Sequence, residues 1–150
     1  METQADQQIL YTNFYNYNTS QLYYATNYRN ISSTRPTIFC LHGNSSIWRT
    51  FELFAICAIP HGIQVIAIDL PGCGNSSRLD NYSMQIIGNI ISTFIRSFQI
   101  EPQFCNVFGH SLGGHLIAFL NEEFHLVILA GTPPLSSGAD FAGRITEIET

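Results

Sequence analysis

The chain has 150 residues, of which 45% are hydrophobic and only 11% charged. That charge content is far below the quarter or so usual in globular domains, which excludes a disordered polyelectrolyte, and the length allows one domain. The formal net charge is -5, and the basic residues are six scattered arginines (29, 35, 49, 78, 96 and 144), so no basic stripe points to nucleic acid.

The first eight residues, Met1 to Gln8, are polar and slightly acidic. They lack the basic start and apolar core of a secretion signal, and no apolar run is long enough to span a bilayer. The four cysteines, Cys40, Cys57, Cys73 and Cys105, form no Cys-x-x-Cys pair, and three sit among aliphatics. Buried free thiols in a reduced, cytoplasmic protein are the expectation.

Residues 9–28 are rich in Tyr, Asn and Thr around a turn-like Asn16-Tyr17-Asn18-Thr19-Ser20, which predicts a β-hairpin. From residue 37 short apolar runs alternate with segments of helical period. Thr37–Leu41 is the first run and ends at His42-Gly43. Ser45 or Ser46 then caps a predicted helix carrying Trp48, Phe51, Phe54 and Ala58, which stops before Pro60. Val65–Ile68 is the second run and ends at Asp69-Leu70-Pro71-Gly72. Ser83 opens a helix with Met84, Ile87, Ile91, Phe94, Ile95 and Phe98 at spacings of three and four. Phe104–Phe108 is the third run, followed by Gly109 and a short helix from Leu112 to about Glu122. Leu126–Ala130 is the fourth, ending at Gly131-Thr132-Pro133-Pro134.

Strands without polar alternation are buried on both faces, and their alternation with helices predicts a three-layer αβα sandwich around a mostly parallel sheet. The domain reading is a hairpin over about 9–28, a parallel βα core over 37–134, and the start of a cap or loop over 135–150. In open α/β sheets ligands sit beyond the carboxyl ends of the strands, so the four Gly- or Pro-bearing loops share one rim.

Gly109-His110-Ser111-Leu112-Gly113 matches Gly-x-Ser-x-Gly between a buried strand and a helix. A serine lifted above a sheet needs a very tight turn, and side chains two residues either side would collide, hence Gly109 and Gly113. Gly114 gives further room. The amide of Leu112 opens the helix and points at developing negative charge. A second oxyanion donor is expected from the loop after the first buried strand, where the backbone N–H of Asn44 is the candidate.

The ordered set His-Gly-Asn, Asp-Leu-Pro-Gly-x-Gly-x-Ser, Gly-His-Ser-Leu-Gly-Gly and Gly-Thr-Pro-Pro, each after a strand, resembles the α/β-hydrolase superfamily, and within it esterase- and lipase-like enzymes with a small helical cap. The resemblance covers about residues 21–134. It implies Ser111 as nucleophile, Asn44 and Leu112 as oxyanion amides, an ester-like small-molecule substrate, and no cofactor or metal. Dehalogenases and epoxide hydrolases of the family carry Asp at the elbow, and Ser111 argues against both.

The family places the triad acid and then the histidine after the elbow. Only His115 and His125 follow Ser111; His42 and His110 precede it on the rim, and His61 lies at the start of a strand. None is a good general base, and Asp140 is a weak acid candidate. The resemblance therefore implies the first part of a hydrolase fold, truncated at its C-terminus: a fragment, a truncated reading frame or one piece of a split enzyme, with its last apolar strand open to a complementing chain or to self-association. Cys73 is read as a filler and Asp69 as a shaper of its loop. Gly72-Cys73-Gly74 bears a superficial likeness to a dinucleotide-binding turn, but the third Gly and the following helix are missing. Two function classes stay open: a serine hydrolase, inactive or incomplete as this chain, and a non-catalytic binding module or inert remnant on the same scaffold.

Overall fold

Among residues 10–132, which the computed structural model describes, six strands build one sheet. They are β1 (Tyr11–Tyr17), β2 (Ser20–Thr26), β3 (Thr37–Leu41), β4 (Gln64–Ile68), β5 (Cys105–His110) and β6 (Leu126–Ala130), ordered β1-β2-β4-β3-β5-β6. β1 pairs antiparallel with β2, and β2 antiparallel with β4; every other pairing is parallel. The segment expected to begin a cap or loop, 135–150, lies outside the described residues, and Asp140 with it.

The central strands are apolar on consecutive residues because each face meets a different layer. Phe39, Leu41, Ile66, Ile68 and Val107 enter one core cluster; Ile38, Cys40, Val65 and Ala67 enter the other. Helices α2 (Met84–Ser97) and α3 (Leu112–Ile117) cover the first face, and α1 (Glu52–Ala58) covers the second. The result is a mixed, mostly parallel open sheet between two helical layers.

Helix α2 forms where its spacing predicts. Ser83 is its N-cap, with Oγ accepting from the Ile86 N–H at 3.0 Å, and Ile91, Phe94 and Ile95 are buried. Phe94 is its anchor, edge-on to Tyr15, Tyr24, Phe39 and Phe98 at centroid distances of 5.1 to 6.4 Å.

Two helix boundaries differ from the sequence expectation. Neither Ser45 nor Ser46 caps the first helix: the chain enters through a 3-10 turn at Trp48–Phe51, and the Trp48 N–H donates 2.8 Å to Oδ1 of Asp69, twenty-one residues away. Helix α3 ends at Ile117 rather than near Glu122. Its last amides tighten onto carbonyls three residues back, and the Asn121 N–H then donates to Ser92 Oγ at 3.0 Å, drawing the chain onto α2. Cys40 and Cys105 are buried thiols, Cys73 is half-buried and Cys57 is exposed on α1. Among the described residues no helix is long and apolar enough to cross a membrane.

Phe94→Ala is expected to remove about 3–5 kcal/mol of stability, read from the urea midpoint. Leu53→Ala, at a side chain 72% exposed, serves as the control and stays within about 0.5 kcal/mol of the parent chain.

Candidate active site

The strand order reverses at β3. The chain steps from β3 to β4 on one side, then passes back over β3 to β5 on the other. The loop after β3 leads to α1 on one face, and the turn after β5 leads to α3 on the opposite face. Such a reversal is the point at which α/β sheets place ligands. Leu41 is the parallel partner of Gly109, so His42-Gly43-Asn44 and His110-Ser111-Leu112 emerge side by side.

Ser111 sits at the turn from β5 to α3 with φ 51 and ψ -116. A positive φ is costly for a residue with a Cβ and persists only where the surroundings impose it. Here the Ser111 N–H donates to the Ala130 carbonyl at 2.9 Å, which continues the β5–β6 ladder through the turn. The Ser111 carbonyl accepts from the Gly114 N–H at 2.9 Å, the His115 N–H at 3.3 Å and Thr132 Oγ1 at 3.2 Å. A Cβ on Gly113 would overlap the Leu41 carbonyl, and one on Gly109 would meet the Gly114 backbone at 2.5 Å. The turn therefore closes only without those side chains.

Gly43 approaches from the other side. A Cβ there would lie 3.2 Å from both the Ser111 Cβ and His110 Nδ1, so the backbone of the loop after β3 abuts the serine. Asn44 follows, exposed on the rim, and Leu112 opens α3. Ser111, Asn44 and Leu112 thus lie at the same end of the sheet.

The histidines divide by position. His42 is fully buried; its Nε2 accepts from the Leu70 N–H at 3.0 Å, so Nδ1 carries the proton and donates to the Gly43 carbonyl at 2.7 Å. Burial pushes its pKa below the ordinary value, against the opposing pull of the Gly43 carbonyl and of Asp69. It is a brace for the loop that carries Asn44. His110 is exposed and stands between Gly43 and Gly131. His61 and His125 lie exposed at the N-terminal ends of β4 and β6, away from the rim, and His115 is half-buried in α3. Asp69 is buried, and its carboxylate accepts from the Trp48 N–H at 2.8 Å and the Asn75 N–H at 2.9 Å, so it ties together the two neighbouring loops. Among the described residues no three His, Cys, Asp or Glu side chains gather as metal ligands would.

Thr132 is the site residue that motif reading missed. Its hydroxyl reaches the elbow from β6, twenty-one residues along the chain, and local spacing carries no sign of that contact. The sequence offers only a glycine at 114; the structure shows its partner, since a Cβ on Gly114 would overlap Thr132 Oγ1.

A sequence model described as "Alpha/beta hydrolase family" matches residues 38–148. Solved structures similar to the chain include a thioesterase domain from the curacin biosynthetic pathway, with 25% identity and a TM-score of 0.63 over 73% of this chain and 39% of that one. An epoxide hydrolase from Vigna radiata superposes with a TM-score of 0.73 at 17% identity over 86% of this chain and 40% of that one. An esterase from Exiguobacterium antarcticum does so at 0.64 and 21% identity over 75% and 42%. The chain spans about two fifths of the length of these structures. No curated protein matches it.

Gly113→Ala, which drives a methyl into the Leu41 carbonyl, is expected to destabilise the chain by about 1–3 kcal/mol, measured by urea unfolding. His42 sets a pH dependence. Its folded pKa is depressed, so the unfolded chain takes up a proton first, near 6.5. The stability it contributes is therefore complete above that pH and is lost as the pH falls from there through the folded value. In His42→Gln this part of the stability-against-pH slope is expected to vanish, although the variant is less stable overall.

Proposed function

The chain belongs to the α/β hydrolase family, and from that premise we propose that it carries the nucleophile half of a serine hydrolase acting on ester-like acyl substrates. The observation that carries this reading is Ser111 at φ 51 in the turn between β5 and α3, facing the His42-Gly43-Asn44 loop.

Ser111 Oγ attacks the substrate carbonyl carbon. The new C–O bond forms as the carbonyl π pair moves onto oxygen, and the amides of Asn44 and Leu112 hold that oxyanion. The pair returns, the alcohol leaves with the proton lost by Ser111, and water then releases the acid and restores the serine. An Asp elbow, as in epoxide-opening relatives, would instead form a carboxylate ester. The hydroxyl of Ser111 favours acyl transfer, as does the likeness at 25% identity to a thioesterase domain.

A serine without a base stays protonated and weakly nucleophilic. His42 is committed to two backbone partners and His61 and His125 lie at the far end of the sheet. None of these three imidazoles is placed to take the Ser111 proton, and Asp140 is kept as the acid candidate. By itself the chain is expected to turn over esters poorly, because loss of triad members commonly costs several orders of magnitude.

The test compares p-nitrophenyl ester turnover and fluorophosphonate labelling in the chain and in Ser111→Ala. A slow turnover that falls about tenfold or more in the variant, with label on Ser111 alone, supports the reading. Equal turnover with no label overturns it, and leaves a binding module on a hydrolase scaffold.

A further inference from the structure

We propose that Thr132 is a positioning residue for Ser111, and that Gly131-Thr132 clamps the elbow from the end of β6. This deepens the acyl-transfer reading and rests on it only for the role of the serine hydroxyl.

Two hydrogen bonds and one close approach run from residues 130–132 to the elbow. The Ala130 carbonyl accepts the Ser111 N–H at 2.9 Å, Thr132 Oγ1 donates to the Ser111 carbonyl at 3.2 Å, and Gly131 lies beside His110, whose Nε2 would be 3.6 Å from a Cβ there. The peptide groups on both sides of the Ser111 Cα are thereby held from β6. That is the arrangement a positive φ needs, because φ and ψ relax only if one of these groups can turn. The α3 amides of Gly114 and His115 bind the same carbonyl from the helix side, but they move with the helix. Thr132 is the partner that refers the serine to the sheet.

The Gly114 position fits the same account. A Cβ there would overlap Thr132 Oγ1, so the glycine after the Gly-x-Ser-x-Gly pattern is required by this hydroxyl. Thr132 acts through the backbone of Ser111 and is assigned no contact with substrate.

Amide hydrogen exchange by NMR on the full chain tests the clamp without needing turnover. Thr132→Val removes the donor and keeps the shape. It is expected to speed exchange at Ser111 and Gly114 about fivefold, the size of one ordinary hydrogen bond, while Phe39 and Cys40 in β3 are unchanged. Thr132→Ser is expected to restore parental rates within about twofold, since it returns the hydroxyl. Thr132→Ala gives the same comparison if the valine variant does not fold. Fluorophosphonate labelling of Ser111 is expected to fall with Val and recover with Ser. The clamp is overturned if Val matches the parent at Ser111 and Gly114, or if Phe39 and Cys40 accelerate in step with them, which marks a general loss of stability. Absence of label in every chain sinks the acyl-transfer reading alone, while the exchange pattern still decides the clamp.

Discussion

The backbone of Ser111 occupies a region that costs an L-residue about 1–3 kcal/mol, and most of the rim can be understood as what holds it there. The ladder bond to Ala130 fixes one peptide plane, and three donors on the Ser111 carbonyl fix the other. None of these bonds would form at a standard strand-to-helix turn with side chains at 109, 113 and 114, because the chain could not pass so close to Leu41, to itself or to Thr132. The glycines therefore contribute the absence of atoms, and β6 contributes the restraint.

The rest of the rim is tied together by two buried polar side chains with complementary tasks. His42 links the loop after β3 to the loop after β4 through the Leu70 amide. Asp69 links the loop after β4 to the start of α1 through the Trp48 amide, and to its own loop through Asn75. Both groups are removed from water, and both spend their hydrogen-bonding capacity on backbone partners. A buried imidazole held neutral in this way suits a brace. The same environment makes it a poor proton acceptor for Ser111, since its only lone pair is already used.

Much of this was legible in the sequence because the signals are local. The four apolar runs, the Ser83 cap, the spacing of α2 and the Gly-x-Ser-x-Gly turn each lie within a few residues, and each maps onto an element found in the structure. What escaped was set at long range. The turn leading into the first helix is held by Asp69 through the Trp48 amide rather than by Ser45 or Ser46, and no periodicity encodes a carboxylate arriving from beyond the next strand. Helix α3 ends at Ile117, the next amides turn back onto carbonyls three residues earlier, and the Asn121 amide goes to Ser92 on another helix. Thr132 enters the sequence reading only as part of Gly-Thr-Pro-Pro after the fourth strand, and only the packed sheet reveals its bond to Ser111.

The position of β6 gives these contacts a wider meaning. Among the described residues it is the last strand in the sheet order, pairing with β5, and its five residues are apolar yet none is fully buried, with Leu126 37% exposed. Central strands such as β3 and β4, with the same kind of sequence, are buried at every position. A strand of this composition at an edge is a template for further pairing and for a covering layer. The same strand carries the Ala130 carbonyl and leads into Thr132, so its rigidity and the geometry of Ser111 are not independent. A load on β6 is therefore passed to the serine through the Ala130 carbonyl and the Thr132 hydroxyl, the two bonds that hold the peptide groups on either side of its Cα.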